Sequence, residues 1–234
     1  MELRVREVAK LFAIPENRIY EWIKDKGLPA RQVGGQYRFN RAELLEWATA
    51  HQVHFSSEIF GGQENGSGPP PGLTAALEAG GIFHGVGVTD RESALREIVK
   101  NTPFPDDVDR EFLFDMLLAR EALQSTGVGD GIAIPHVRNP VVLHVPKAMI
   151  SLCLLATPIE FGAMDGKPVH ALFSLISPAV RTHLHLLSRL AFALHDPGFK
   201  RTVAHRGTPE AILREARRIE AHLQPRGAAG AKEQ

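Results

Sequence analysis

The sequence contains a single cysteine, Cys153, among its 234 residues. One cysteine excludes an intramolecular disulfide and any zinc site that is built from several cysteines. Cys153 lies in an apolar run, which is typical of a small buried hydrophobic residue rather than of a reactive thiol. We expect neither a cofactor nor a metal site in this chain.

Long apolar runs are also absent. The longest, around residues 148–156, is interrupted by Ser151 and is much shorter than the roughly 20 residues that cross a bilayer. The first residues, MELRVR, lack the apolar segment of a secretory signal. These features predict a cytoplasmic protein without a membrane partner.

The chain has no excess of charge of either sign, because Lys and Arg total 27 and Asp and Glu total 27. This balance argues against a polybasic nucleic-acid binder and against a highly acidic disordered chain. Hydrophobic residues make up 44% of the sequence, enough for a sizeable core. A dinucleotide-binding fingerprint is missing, since the glycines at 127, 129 and 131 do not have G-x-G-x-x-G spacing.

A stretch rich in glycine and proline, residues 61–72, divides the chain. It has almost no apolar side chain to bury, so it predicts a flexible linker. The last residues are rich in glycine, alanine and charge, which predicts a disordered tail. The expected segments are a small domain at 1–52, a linker at 53–72, a larger domain at 73–223 and the tail at 224–234.

The small domain shows the pattern of a winged helix-turn-helix. Apolar spacing predicts a helix over 6–12 and a second helix that begins near Pro15 and ends at Gly27. A hairpin around Gly34 and a third helix after Asn40, with Leu44, Leu45, Trp47 and Ala48 facing inward, complete the outline. Nine Lys and Arg against seven Asp and Glu make the segment only slightly basic.

Three pieces of this domain carry a family resemblance: VREVAKLF, then IYEWIKDKGLPARQVGGQYRF, then ELLEWA. In this order they resemble the excisionase-like branch of MerR-type DNA-binding domains. The resemblance implies that the second helix enters the major groove and that the wing contacts the DNA backbone or minor groove. Arg and Lys would neutralise phosphates, and Asn and Arg can contact base edges. The candidate DNA contacts are Asn17, Arg18, Tyr20, Lys24, Arg31, Gln36 and Arg38.

DNA binding by this domain has an alternative. Glu16, Glu21 and Asp25 lie on or near the second helix and would repel phosphate, so the domain could instead be a protein-interaction domain that keeps the fold. A single copy of so small a domain binds weakly. A homodimer is therefore expected if the domain acts on operators.

The larger domain alternates helical and strand patterns. Apolar periodicity predicts helices over 106–122, 180–195 and 209–223, and Thr89-Asp90-Arg91-Glu92 resembles a capping box that opens another helix ending near Lys100. Short apolar runs at 148–156 and 171–177 are typical of buried strands. The expected fold class is α/β, a layered domain with a mixed sheet flanked by helices.

The chemistry of this domain is concentrated at residues 125–136, STGVGDGIAIPH. Pro135 favours an extended backbone before it, so His136 is presented from a fixed strand or loop. A neutral imidazole can accept a phosphoryl group in an in-line transfer, and Arg120 could form a fork onto the phosphoryl oxygens. His183 begins the apolar stripe of the 180–195 helix. Taken alone, either histidine is more typical of a core residue than of a reactive one.

Taken together, the motifs resemble a known family. The segments are LAREALQSTGVGDGIAIPH, ATPIEFGAMDGKPVHALFSLISP and RTHLHLLSRLAFAL, and they are similar to the IIA domain of the fructose/mannitol type in bacterial phosphotransferase systems. The nitrogen-related regulatory IIA proteins look nearest. The resemblance covers about residues 73–223. It implies that His136 is phosphorylated, that His183 is the second active-site histidine, that Arg120 contacts phosphate, and that Ser125, Thr126 and Gly131 support the site.

The resemblance implies an HPr-like phosphocarrier as donor, and a phosphoryl carrier rather than a self-contained catalyst. Two positions depart from the family pattern. Asp130 stands where Asn is usual and is expected to add negative charge near the phosphoryl group, and Val137 stands where Gly is usual.

Three functions fit these motifs. The first is a regulator that couples phosphorylation of His136 to DNA binding or transcription. The second is a sugar-transport IIA component that passes phosphate to a IIB partner, and the third is a protein-interaction module whose phosphorylation state gates the binding of a protein partner. The linked winged domain favours the regulator.

Overall fold

The structure is a computed structural model that describes residues 2–40, 43–44, 47–48, 51, 53, 70–137 and 145–223. Most of the predicted linker and the whole predicted tail lie outside these residues, so the boundaries of the four segments stay predictions. No helix within the described ranges is long and apolar enough to cross a membrane.

The N-terminal domain combines helices with a small antiparallel sheet of three strands, in the order β1-β3-β2. The turn between β2 and β3 contains Gly34 and Gly35, whose φ angles of 57° and 76° lie in the left-handed region that a tight hairpin turn requires. Strand β1 was not predicted, because three residues are too few to show an alternating pattern. The elements are β1 (Glu2–Arg4), α1 (Val5–Phe12), α2 (Glu16–Asp25), β2 (Arg31–Val33) and β3 (Gln36–Asn40).

Three aromatic rings form the centre of this domain. Trp22 and Trp47 have ring centroids 5.2 Å apart, and Phe12 lies 5.6 Å from Trp22. The indole nitrogen of Trp47 donates a hydrogen bond of 2.9 Å to the carbonyl of Lys26, just after α2. Trp47 is one of the helical positions at 43–44 and 47–48, so the predicted third helix is present where it is described; Leu45 falls outside those residues.

The larger domain is built on a five-stranded mixed sheet of order β4-β7-β8-β6-β5. The β4–β7 and β6–β8 pairs are parallel, while β7–β8 and β5–β6 are antiparallel. The predicted mixed sheet is therefore confirmed. Its strands are β4 (Ile82–Val86), β5 (Gly127–Gly129), β6 (Ile132–Ala133), β7 (Met149–Ile159) and β8 (Val169–Ile176).

Helices cover both faces of this sheet. The helices predicted over 180–195 and 209–223 have the predicted bounds. The helix predicted over 106–122 starts at Arg110, because Asp109 caps it. The helices at Leu73–Gly80 and Pro197–Ala204 were not predicted. The box at the start of α4 is formed by Asp90 and Ser93 rather than by Thr89 and Glu92. The helices are α3 (Leu73–Gly80), α4 (Arg91–Asn101), α5 (Arg110–Leu123), α6 (Val180–His195), α7 (Pro197–Ala204) and α8 (Pro209–Leu223).

The two sheet faces follow from the period-two alternation of strand side chains. Leu152 and Phe173 pack with α3, α6, α7 and α8, whereas Cys153 and Leu172 pack with α4 and α5. Burial, together with the charge of Glu97, raises the pKa of the Cys153 thiol to about 12. The thiol stays protonated at neutral pH, which confirms its reading as a small hydrophobic residue.

Candidate functional site

His136 lies just beyond β6, against the central part of the sheet. Its backbone pairs with Leu175 of β8, and the amide of Leu175 donates to the carbonyl of Pro135 at 3.0 Å. The ring is buried, with 3% exposed, and Nδ1 lies 2.7 Å from the carbonyl oxygen of Ile134. Because a carbonyl only accepts, Nδ1 carries the proton and Nε2 holds the lone pair in the neutral ring.

A second histidine packs against the first. His183 lies in the first turn of α6 and is 1% exposed, and its ring centroid is 5.4 Å from that of His136. The start of α6 is thus close to His136. Because the N-terminus of a helix carries partial positive charge, this position favours an anion bound to His136.

Arg120 comes from the last turn of α5 and is 8% exposed. Its Nη1 donates a hydrogen bond of 2.8 Å to the carbonyl of Gln124, which fixes the guanidinium at the end of the helix. Arg120 and His136 line the same cleft. The structure therefore brings the three residues of the expected site together: His136 and His183 by ring contact, Arg120 by the shared cleft.

The cleft has a volume of about 350 Å³ and is lined by residues of both domains. The sequence did not place any part of the N-terminal domain beside His136. Arg31, a candidate DNA contact, lines this cleft as well. The residues of the N-terminal domain on its wall are Gly27, Pro29, Ala30, Arg31, Glu43 and Trp47.

Ser125 and Gly131 act on the hairpin that leads to His136. The Ser125 hydroxyl donates to the carbonyl of Phe161 at 2.8 Å and accepts from the amide of Gly127 at 3.1 Å. Gly131 has φ 75°, and a Cβ there would lie 2.2 Å from Nδ1 of His170. Ser125 thus holds the chain at the start of β5, and Gly131 occupies the turn between β5 and β6; their support of the site stays a prediction.

Thr126 is hydrogen-bonded to Glu121, a residue that the sequence did not indicate as part of the site. The Thr126 amide and hydroxyl both donate to the Glu121 carboxylate. A glutamate in the last turn of an amphipathic helix is normally read as solvated, so its spacing alone gave no signal. The only available hint was its place directly after Arg120 and shortly before the STG segment.

The two departures from the family pattern have a local explanation. Asp130 occupies the β5–β6 turn with φ 52°, and its carboxylate pairs with Lys200 at 2.6 Å and with Lys167 at 3.3 Å. These lysines hold the pKa of the Asp130 carboxyl below its usual range. The expected extra negative charge is thus compensated by two cations. Val137 is fully buried in the apolar layer under α4 and α5.

Replacing Asp130 by Asn removes both ion pairs and keeps a residue that tolerates positive φ. We expect the free energy of unfolding at pH 7 to fall by at most about 1 kcal/mol, because these side chains are partly exposed. A lowered folded-state pKa stabilises the fold above about pH 4, and this contribution is lost as the pH falls through the folded-state value. Urea unfolding at neutral pH and in acid checks both points. An equal difference between the two proteins at both pH values would contradict the account.

The candidate DNA contacts lie on α2 and on the β2–β3 wing. Asn17, Tyr20 and Lys24 are exposed on α2, where Arg18 pairs with Glu21 at 3.0 Å. On the wing, the Arg31 and Arg38 guanidiniums contact Glu43 at 3.5 Å and Gln36 at 3.0 Å. The cationic side chains among these candidates therefore lie on one helix and one wing. The role of all the candidates in DNA binding stays a prediction.

Comparison with known proteins identifies the family. Residues 76–217, more than half of the chain, match the family described as "Phosphoenolpyruvate-dependent sugar phosphotransferase system, EIIA 2". The chain belongs to this family. Residues 2–52 match a family described as a helix-turn-helix domain. The predicted combination of a type-2 IIA domain with an N-terminal helix-turn-helix domain is confirmed.

Similar proteins include both regulatory and transport IIA proteins. The "Nitrogen regulatory protein" of Klebsiella oxytoca is 43% identical over 88 residues, which cover 37% of this chain and 53% of that protein. The "PTS system fructose-specific EIIA component" of Haloferax volcanii is 41% identical over 88 residues, covering 37% of this chain and 55% of that protein. The chain thus spans about half the length of these two relatives, and their near-equal identities do not separate the two functions.

Among solved structures, the "Nitrogen Regulatory Protein IIA-Ntr" of Neisseria meningitidis superposes with a TM-score of 0.51 at 28% identity. The match covers 58% of this chain and 91% of that one. This IIA fold therefore corresponds to nearly the whole of that protein, and the helix-turn-helix domain is additional to it.

Proposed function

We propose that this type-2 IIA chain is a regulatory phosphocarrier that accepts a phosphoryl group on Nε2 of His136 from an HPr-like donor. The observation that carries the proposal is the 2.7 Å hydrogen bond between Nδ1 of His136 and the Ile134 carbonyl. It leaves the Nε2 lone pair as the nucleophile of the ring.

The transfer is an in-line displacement. Nε2 of His136 forms a bond to phosphorus while the bond between the donor and phosphorus breaks, and the electron pair of that bond returns to the donor. The ring of His136 gains positive charge as it is phosphorylated. The proton stays on Nδ1 and remains hydrogen-bonded to the Ile134 carbonyl, which stabilises that charge.

Two groups are assigned to the phosphoryl oxygens. The Arg120 guanidinium in the cleft offers paired N–H donors, and the start of α6 offers partial positive charge. His183, whose ring contacts that of His136, holds the nucleophile in place and excludes water from it. These roles require no proton to leave or enter the site during transfer.

The acceptor role is tested by incubating the full chain with the phosphorylated HPr-like donor and measuring its intact mass. We expect a gain of one phosphoryl group. The modification should be lost in acid, as nitrogen–phosphorus bonds are, whereas a phosphoserine would survive. A wild-type protein whose mass does not change would contradict the proposal.

The shared cleft supports a coupling between phosphorylation and the winged domain. A phosphoryl group adds about −1.5 to −2 charges, by analogy with other phosphorylated residues, to the cleft that Arg31 lines. Arg31 is also a candidate contact to DNA phosphates on the wing. We infer that phosphorylated His136 attracts Arg31 and keeps it from DNA, so that phosphorylation weakens DNA binding.

This coupling predicts a difference between two wing variants. A preferred DNA sequence is first selected with the unphosphorylated full chain, and its affinity is then measured for both phosphorylation states. Arg31→Gln should remove the effect of phosphorylation on affinity. Arg38→Gln, on the same wing but away from the cleft walls, should weaken DNA binding in both states and keep the effect. Equal effects of phosphorylation in wild type and Arg31→Gln would contradict the coupling, and a chain with no DNA preference would leave the protein-interaction module.

The transport function is the second candidate, favoured by the similarity to the fructose-specific EIIA component of Haloferax volcanii. It requires the phosphoryl group to pass onward to a IIB partner. Incubation of the phosphorylated chain with candidate IIB proteins distinguishes the two. Rapid loss of the phosphoryl group to such a partner would favour transport, and its retention would favour regulation.

A further inference from the structure

A buried carboxylate lies one residue after Arg120. Glu121 is in the last turn of α5 and is 2% exposed. A negative charge near the C-terminus of a helix is electrostatically unfavourable, and burial of a carboxylate adds a desolvation cost. The position must therefore be stabilised by specific hydrogen bonds.

All the hydrogen bonds described for this carboxylate come from Thr126. The Thr126 amide lies 3.0 Å from Oε1 and 3.1 Å from Oε2, and the Thr126 hydroxyl donates to Oε2 at 2.5 Å. Charge-assisted hydrogen bonds of this kind are short and strong. Glu121 thus fixes both the backbone and the side chain of Thr126.

The contacts continue from Thr126 to the reacting histidine. The Thr126 carbonyl accepts the amide of Ile134 at 2.9 Å, which closes the end of the β5–β6 hairpin. The carbonyl of Ile134 then accepts Nδ1–H of His136 at 2.7 Å. Glu121, Thr126, Ile134 and His136 therefore form a continuous series in which each group is held by the one before it.

We propose that Glu121 is a positioning residue for phosphoryl transfer: through Thr126 and Ile134 it fixes the tautomer and the orientation of the His136 ring. The proposal rests on the function proposed above, in which Nε2 of His136 is the nucleophile. A carboxylate suits this place because it accepts both the amide and the hydroxyl of Thr126. An amide side chain would keep only one acceptor oxygen and would place an NH₂ group where the second oxygen accepts a hydrogen bond.

The first test measures the ring of His136 without any donor. NMR of isotope-labelled histidine in the full chain reports which ring nitrogen carries the proton. In wild type we expect Nδ1 to be protonated. Glu121→Ala and Glu121→Gln should give a mixture of the two tautomers. The variant Glu121→Asp, which retains the charge, should recover part of the wild-type pattern.

The second test measures transfer from the phosphorylated HPr-like donor. Glu121→Ala should lower the rate constant at saturating donor by about 10- to 100-fold, the size expected when a reacting atom is misplaced by up to about 1 Å. The KM for the donor should not change, because Glu121 is buried away from the surface. Thr126→Val, which removes only the hydroxyl, should give a smaller decrease in the same direction.

A matched control separates positioning from loss of stability. Thr102 is also buried, and its hydroxyl donates to the Ile98 carbonyl at the end of α4 and is hydrogen-bonded to the Ser151 hydroxyl, so Thr102→Val removes buried hydrogen bonds outside the series. It should lower stability and leave the His136 tautomer and the transfer rate unchanged. If Glu121→Ala does not fold, the tautomer and transfer rate of Glu121→Gln and Thr126→Val test the positioning role instead.

Failure of the positioning role can be distinguished from failure of the proposed function. Folded Glu121 variants with a wild-type His136 tautomer and rate would overturn the positioning role, even if His136 is phosphorylated. A shifted tautomer in a chain that no donor phosphorylates would support the series of contacts and overturn the proposed function instead.

Discussion

We expect replacement of His136 by glutamine to abolish phosphorylation by the HPr-like donor. Glutamine occupies a similar volume in this buried place but offers no ring nitrogen that can bond to phosphorus. We expect a loss of at least about 10³-fold, the range seen when the nucleophile of a covalent mechanism is removed. Intact mass after incubation with the donor measures it.

His183→Gln is the matched control for that variant. His183 is also buried, and its ring contacts that of His136, but no described contact gives it the role of acceptor. We expect His183→Gln to be phosphorylated more slowly but to the same final extent. The assignment of the acceptor would be wrong if His136→Gln were phosphorylated and His183→Gln were not.

Replacing Arg120 by glutamine has the second-largest expected effect. A cation in the cleft stabilises the negative charge on the transferring phosphoryl oxygens, and loss of one such donor costs about 10²- to 10³-fold in rate. Arg120→Lys should recover only part of this, because a lysine keeps the charge but not the paired N–H donors of the guanidinium. Initial rates of phosphorylation at saturating donor measure both variants.

Arg120 also has a structural contact, so stability must be measured in parallel. Its Nη1 donates to the carbonyl of Gln124 at the end of α5. Both variants lose or weaken this hydrogen bond. Urea unfolding should show a decrease of about 1 to 3 kcal/mol for Arg120→Gln, the usual cost of a lost hydrogen bond to a charged group. A folded Arg120→Gln protein with the wild-type transfer rate would exclude a role of Arg120 at the phosphoryl group.

The residues of the candidate site were named from short segments that carry the family resemblance, and their roles stay predictions. Pro135 and His136 are adjacent in sequence, and His183 lies in the first turn of a strongly amphipathic helix whose bounds were predicted correctly. Burial of both histidines follows from the same apolar patterns. The mixed sheet followed from short apolar runs alternating with helices, although the order of its strands did not.

The features that the sequence did not predict depend on contacts between residues that no helical or strand periodicity brings together. The link from Glu121 to Thr126 arises because α5 ends and the chain turns back into β5, a change of direction that helical periodicity does not contain. The pairing of Asp130 with Lys200 joins residues far apart in the chain. Short elements such as β1 and α7 were missed for another reason, since a few residues carry little periodicity; Asp196 and Pro197, the cap and first residue of α7, were the available signals.

The position of Arg31 in the same cleft as His136 was the least predictable feature. Its residue type and wing location indicate a contact to DNA, and only the packing of the two domains places it on the wall of the cleft. The regulatory proposal depends on this placement, whereas the acceptor role of His136 depends on the IIA domain alone. The wing variants and the histidine variants therefore test separate parts of the account.

The most direct test of the central claim is the location of the phosphoryl group, read by NMR of the phosphorylated full chain with isotope-labelled histidine rings. The account predicts one phosphohistidine, at His136, with phosphorus bonded to Nε2 and the proton on Nδ1. A phosphoryl group on Nδ1 of His136, on another residue, or on none would contradict it.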